Sequence, residues 1–165
     1  MIVISDTTPL ISLLKINHLG LLEKLYGSVI VPEAVFEELT ANDSYTDEAS
    51  VISKSKFIES RKISNHQALQ ILRTLTGLDL GESEAIILAQ ELRADVLLMD
   101  ERKGRKVARQ LGIPLSGVLG VLVDSLNAGL LSAHEVNESL DNLQEAGRRI
   151  SGQLINRVRD YISKV

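Results

Sequence analysis

Residues 78–106 read LDLGESEAIILAQELRADVLLMDERKGRK, and this stretch decides the fold. An apolar helix opens on Gly81 and Glu82. A short β-run, Val96-Leu97-Leu98-Met99, follows and stops on Asp100, ahead of the basic residues Arg102, Lys103, Arg105 and Lys106. A helix that begins with a carboxylate and a strand that ends on one aim both acids at the same edge of a parallel sheet. In open α/β sheets ligands bind at that edge, outside the carboxyl ends of the strands.

Upstream, Ile2-Val3-Ile4 is β-branched and does not alternate with polar residues, as a strand covered on both faces requires. It ends at Ser5-Asp6-Thr7-Thr8, and Pro9 suits the first turn of a helix. A short helix over about 19–26 stops at Gly27. Val29-Ile30-Val31 is the second strand, and Pro32 starts a helix running to about Leu39. Residues 41–56 are polar and read as a loop with a short helix. Residues 57–63 form a short edge strand, and Asn65 to Thr76 an amphipathic helix. The rhythm is that of a parallel α/β sheet.

Each strand end supplies an acid. Asp6 follows strand one; its plainer role is a helix N-cap, which Thr7 or Thr8 also offers. Of the acids after strand two, Glu33 and Glu37 fall opposite the Val35–Leu39 stripe, and Glu38 lies about 60° off it, so Glu38 is chosen. In the next helix Glu82 projects about 60° from Ala85, inside the buried arc, while Glu84 lies about 100° away. Periodicity therefore favours Glu82, with Glu84 in reserve, although an acid in a first turn also serves the helix dipole alone. Asp6, Glu38, Glu82 and Asp100 converging from four elements would repel one another and call for a cation. Oxygen-only ligands suit Mg²⁺ or Mn²⁺, the apparatus of phosphodiester hydrolysis.

Composition sets the outer limits. The chain has 165 residues, 44% hydrophobic and 24% charged, which is one ordinary globular domain in size. It contains no cysteine, which excludes disulfides and thiolate metal sites. No apolar run approaches the ~20 residues of a membrane helix, and MIVISDTTPL lacks a basic n-region, so a cytoplasmic protein is expected. A net charge of −4 argues against a general nucleic-acid coat but allows a local basic lip. Arg102, Lys103 and Arg105 are the candidates to grip a substrate backbone. His18, His66 and His134 stand isolated.

IVISDTTPLI, VIVPEAVFEEL and GESEAIILAQELRADVLLMDERKGRKVARQLGI, in this order, resemble the PIN domain, the nuclease fold of VapC-type toxins and related small ribonucleases. The resemblance covers about residues 1–128. It implies a three-layer α/β/α sandwich with a parallel sheet and a Mg²⁺- or Mn²⁺-dependent endoribonuclease. The family's acidic quartet carries across as Asp6, Glu38, Glu82 and Asp100, both catalytic and metal-binding; toxin relatives often have Asp at the third position. Thr7 matches the hydroxyl residue that commonly follows the first acid. RNA is then the substrate, and a small antitoxin protein laid across the acidic edge is an expected partner.

Beyond a weak last strand at Pro114-Leu115-Ser116 the chain reads as helices over 118–127, 133–146 and 153–164. Residues 129–165 are taken as a helical extension packed on the same domain or on a partner, and a homodimer is expected. Receiver domains and haloacid-dehalogenase-like phosphatases also gather acids at a sheet edge, but strand one offers only Asp6, and position 8 is Thr8. The alternative that survives is a PIN-like module that binds nucleic acid or protein without cutting.

Overall fold

In the computed structural model, which describes residues 1–41 and 46–165, the apolar runs become five strands: β1 (Val3–Ser5), β2 (Val29–Pro32), β3 (Ile58–Arg61), β4 (Val96–Leu98) and β5 (Leu115–Ser116). All pair in parallel, in the order β3-β2-β1-β4-β5. The chain builds outward from β1 to β3 on one side and returns to the other side of β1 with β4. The order therefore reverses between β1 and β4, which places a crevice at their carboxyl ends.

Side chains alternate across the sheet with the period of two that a strand imposes. Val3, Val29, Val31 and Leu98 face one apolar cluster. Ile4, Ile30, Leu97 and Met99 face the other. Both faces are covered over the central strands, which is why β1, β2 and β4 lack a polar side, while edge strand β3 exposes Glu59, Ser60 and Arg61. On the first face lie α1 (Thr7–Lys15), α2 (Gly20–Tyr26), α3 (Glu33–Ala41) and α4 (Thr46–Lys54). On the second lie α5 (His66–Thr76), α6 (Leu80–Glu91) and α7 (Arg102–Gln110). The result is an α/β/α sandwich. The polar loop expected after α3 falls partly on residues 42–45, outside the described residues.

α8 (Val118–Asn127), α9 (Ala133–Glu145) and α10 (Gly152–Ser163) complete the first face. Val136, Leu140, Leu143, Ile155, Val158 and Ile162 share one cluster with Leu10, Leu13 and Leu22. A single apolar core thus crosses the boundary read at residue 128. Among the described residues no helix is long and apolar enough to cross a membrane.

Candidate active site

Asp6 stands at the reversal point. Its N–H donates to the Leu98 carbonyl at 2.9 Å, so the β1–β4 ladder carries one residue beyond the strand and delivers Asp6 to the crevice. Its backbone is extended, as an N-cap requires, yet the side chain makes no capping hydrogen bond. Pro9, the third residue of α1, has no N–H to offer such a cap. Asp6 is only 4% exposed. Burial pushes its pKa up to about 7; the charges of Glu82, Asp79 and Glu38 add to that rise, and the Thr7 amide opposes it.

Glu38 comes from the outer part of α3. Its Oε2 accepts a hydrogen bond from Thr7 Oγ1 at 3.0 Å. The expected substrate contact of Thr7 is thus, in this structure, a tether between the first and second acids. Gly81 explains how α6 comes close enough to join them: a β-carbon there would lie 3.2 Å from Glu38 Oε2 and 3.4 Å from Val35 Cγ2. Glu37, read as lying on the opposite side of α3, and Glu38, read as leaning toward the core, are both solvent-exposed, and both border the same cleft of about 550 Å³ as Asp79 and Gly81.

α6 begins at Leu80, one residue before the glycine that seemed to open it. Asp79 is its N-cap: Asp79 Oδ1 accepts from the Glu82 amide at 2.8 Å, and Glu82 Oε2 accepts from the Asp79 amide at 3.2 Å. This reciprocal capping box fixes Glu82 in the first turn. Burial raises the Glu82 pKa, with Asp79 and Glu101 adding to the rise; the Asp79 amide and Lys103 counter it. Glu84 points elsewhere, accepting a hydrogen bond from the Ala34 amide in the first turn of α3 at 3.3 Å. Of the two candidates, Glu82 is therefore the one whose charge acts on Asp6.

Asp100 lies two residues beyond β4 and turns toward α8. Both its oxygens accept from the Val118 amide, each at 3.2 Å, so it caps the first turn of that helix from outside. Gly117 makes this approach possible, since a β-carbon there would overlap Asp100 Oδ1. Burial raises the Asp100 pKa, while the Val118 amide, Arg105 and Arg148 lower it. The structure thus gathers Asp6, Glu38 and Glu82, with Asp79 as a fourth acid, and sets Asp100 on the β4 side among cations.

The basic residues divide in the same way. Arg102 is exposed at the start of α7. Lys103 Nζ lies 3.2 Å from where a β-carbon on Gly77 would stand, and its charge reaches Glu82. Arg105 donates through Nη1 to the carbonyls of Met99 (2.8 Å) and Ser116 (3.1 Å), tying α7 to the ends of β4 and β5. His18, read as isolated, pairs with Ser139 Oγ through Nε2 at 2.9 Å. Asp79 and Arg148 were not singled out in the sequence. The D-x-x-E spacing of a capping box at 79–82 signals Asp79, and no local pattern marks Arg148.

The donor set fits a hard cation in kind: carboxylates only, one of them buried with its pKa raised by that burial and, to a lesser extent, by the acids around it. Among the described residues, however, no three His, Asp or Glu side chains already stand in ligating positions. Glu38 is held by Thr7, Glu82 by the Asp79 amide and Asp100 by Val118. A cation would have to draw the first two inward from those bonds.

Residues 2–164 match the family model DUF3368, described as a PIN domain. No curated protein and no solved structure matches the chain.

Proposed function

The chain belongs to the PIN-domain family, a nuclease fold, and on that premise we propose that it is a metal-dependent endoribonuclease working at the acidic edge. One observation carries the reading. Asp6 is a buried carboxylate at the head of α1 that makes no capping bond, and acids from two other elements act on it. A side chain whose only task was to cap a helix would accept from the amide of the second or third residue of that helix, and Asp6 does not.

In this reading Asp6, Glu38 and Glu82 would hold Mg²⁺ or Mn²⁺, with Asp100 on the far side of the crevice. The ion supplies an acidified water and neutralises charge on phosphate oxygens. The chain's own residues prepare the place. Thr7 holds Glu38 within reach of Asp6, Asp79 fixes Glu82 in the first turn of α6, and Gly81 lets the two helices close up. Lys103, beside Glu82, and Arg102, at the head of α7, are set to meet the substrate backbone. A toxin role, an inhibitory antitoxin and a second copy of the chain belong to the same proposal; RNA degradation on expression, its relief by a co-expressed partner, and sedimentation test them in turn.

The deciding measurement incubates purified protein with structured RNA, with and without Mn²⁺, beside Asp6→Asn. Cleavage that needs Mn²⁺ and disappears in Asp6→Asn is expected. A second reading, a PIN module that binds nucleic acid without cutting it, draws on Glu38, Glu82 and Asp100 each being hydrogen-bonded within the chain. RNA retained but uncut at every Mn²⁺ concentration would establish that reading instead.

A further inference from the structure

We propose that Arg148, held against α1 by the turn between α9 and α10, binds a phosphate of the RNA strand beside Asp100. The proposal rests on the ribonuclease reading above and gives the C-terminal helices a part in the site.

A polyanion approaching Asp6, Glu38, Asp79 and Glu82 meets repulsion, so a cation held at the edge has to receive it. Lys103 faces Glu82, and Arg105 is committed through Nη1 to two carbonyls. Arg148 is placed differently. Gly147, at φ +73°, ends α9 in the left-handed conformation, and the Arg148 amide donates back to the Leu143 carbonyl at 3.0 Å. That closure fixes the backbone from which the side chain departs. Its Nε then donates to Ser12 Oγ on α1 at 2.9 Å, and Ser12 is 2% exposed, so the anchor is rigid.

Nη1 and Nη2 have no hydrogen-bond partner among the described residues. A single bond to a serine hydroxyl needs only one N–H, which a neutral side chain would supply as well. What the guanidinium adds is charge and a planar pair of donors, the geometry suited to phosphate oxygens. Its charge already reaches Asp100, where it helps keep the carboxylate ionised inside the fold.

The test measures binding of a short single-stranded RNA by fluorescence anisotropy in Mn²⁺ across a series of KCl concentrations. An Asp6→Asn background stops turnover. Arg148→Gln should weaken binding about tenfold, as loss of a charged hydrogen bond predicts. It should also lower the slope of log affinity against log salt by about 0.7, the value of one single-strand phosphate contact. Arg148→Lys should restore the slope. Ser12→Ala, which loosens the anchor but keeps the charge, should weaken binding severalfold at an unchanged slope. An unchanged slope in Arg148→Gln overturns the proposal, and should that variant fail to fold, unaltered affinity in Ser12→Ala overturns it. Cleavage by the unmodified chain with no Arg148 effect leaves the ribonuclease reading standing alone. Binding that depends on Arg148 with no cleavage does the reverse, and absence of any RNA binding removes both.

Discussion

Asp6 is where sequence and structure bear on each other most closely. Its folded pKa of about 7 lies above the ordinary 3.8, so the folded protein binds that proton more tightly than the unfolded chain does. The stability this provides is complete below pH 3.8 and is lost as the pH rises through about 7. The displacement corresponds to at most about 4 kcal/mol. Glu82 and Asp100 are displaced in the same direction. His18 is lowered from 6.5 by burial and acts oppositely, costing stability only as the pH falls below that value. Without metal, roughly 0.8 kcal/mol of the Asp6 contribution is lost between pH 6.5 and 8, so the melting temperature should drop by about 2–3 °C over that window, at about 2–4 °C per kcal/mol for a chain of this size. Asp6→Asn should flatten most of that decline; a decline of equal size in the variant would remove Asp6 as its source. The acid itself was legible because it ends a buried strand. That it does not cap α1 was also written in the sequence, in Pro9, whose missing N–H takes away one of the two amides a cap can use.

Elements were easier to read than their ends. Every strand and helix inferred from apolar periodicity has a counterpart, including the weak β5 and the three C-terminal helices. α6 starts ahead of Gly81 because Asp79 and Glu82 form a capping box, a stronger start signal than a glycine. Helical geometry found Glu38 at the border of its stripe, but it could not show that Glu37 would border the same cleft, since that depends on where α6 packs. Asp100 offers a test at this scale, because it serves α8 as well as the crevice. Asp100→Asn keeps an oxygen for the Val118 amide and should leave metal-free stability nearly unchanged. Asp100→Ala should cost about 1 kcal/mol, as loss of a helix cap does. Thermal melts of the two variants separate the outcomes; equal losses would mean that the charge, rather than the hydrogen bond, holds α8. Gly117→Ala should disturb both properties, since its β-carbon and Asp100 Oδ1 cannot occupy the same place.

At the scale of the whole molecule, the C-terminal helices are part of the core that the sheet needs. Val136, Leu140, Leu143 and Ile155 are at most 3% exposed and pack with α1, α2 and α8. Fully burying each such side chain is worth roughly 1.5–3 kcal/mol, so the joint loss of these four, roughly 6–12 kcal/mol, is as large as the ~5–15 kcal/mol by which domains are stable. A chain ending at residue 128 should therefore lose cooperative melting and near-ultraviolet circular dichroism; a sharp, reversible transition in that fragment would show the extension to be dispensable. Nothing local in the sequence announces this dependence. The apolar spacing of α9 and α10 was visible, but spacing names no partner, and Arg148 touches α1 only because the turn lies over it.

The strand order has a consequence for how the protein is made. Of the five strands, β1 is synthesised before the others and is the middle one in the sheet, and its neighbour β4 pairs Val96 with Val3 across nearly the length of the α/β core. At about 5–20 residues per second, a nascent chain waits roughly 5–20 s between making Val3 and making its partner. Throughout that interval Ile2, Val3 and Ile4 present an apolar ribbon with one flank unpaired, the kind of edge that recruits foreign strands. Ribosome-bound chains stalled before residue 96 should thus be protease-sensitive and dependent on chaperones. Those stalled after the last helix has emerged should not.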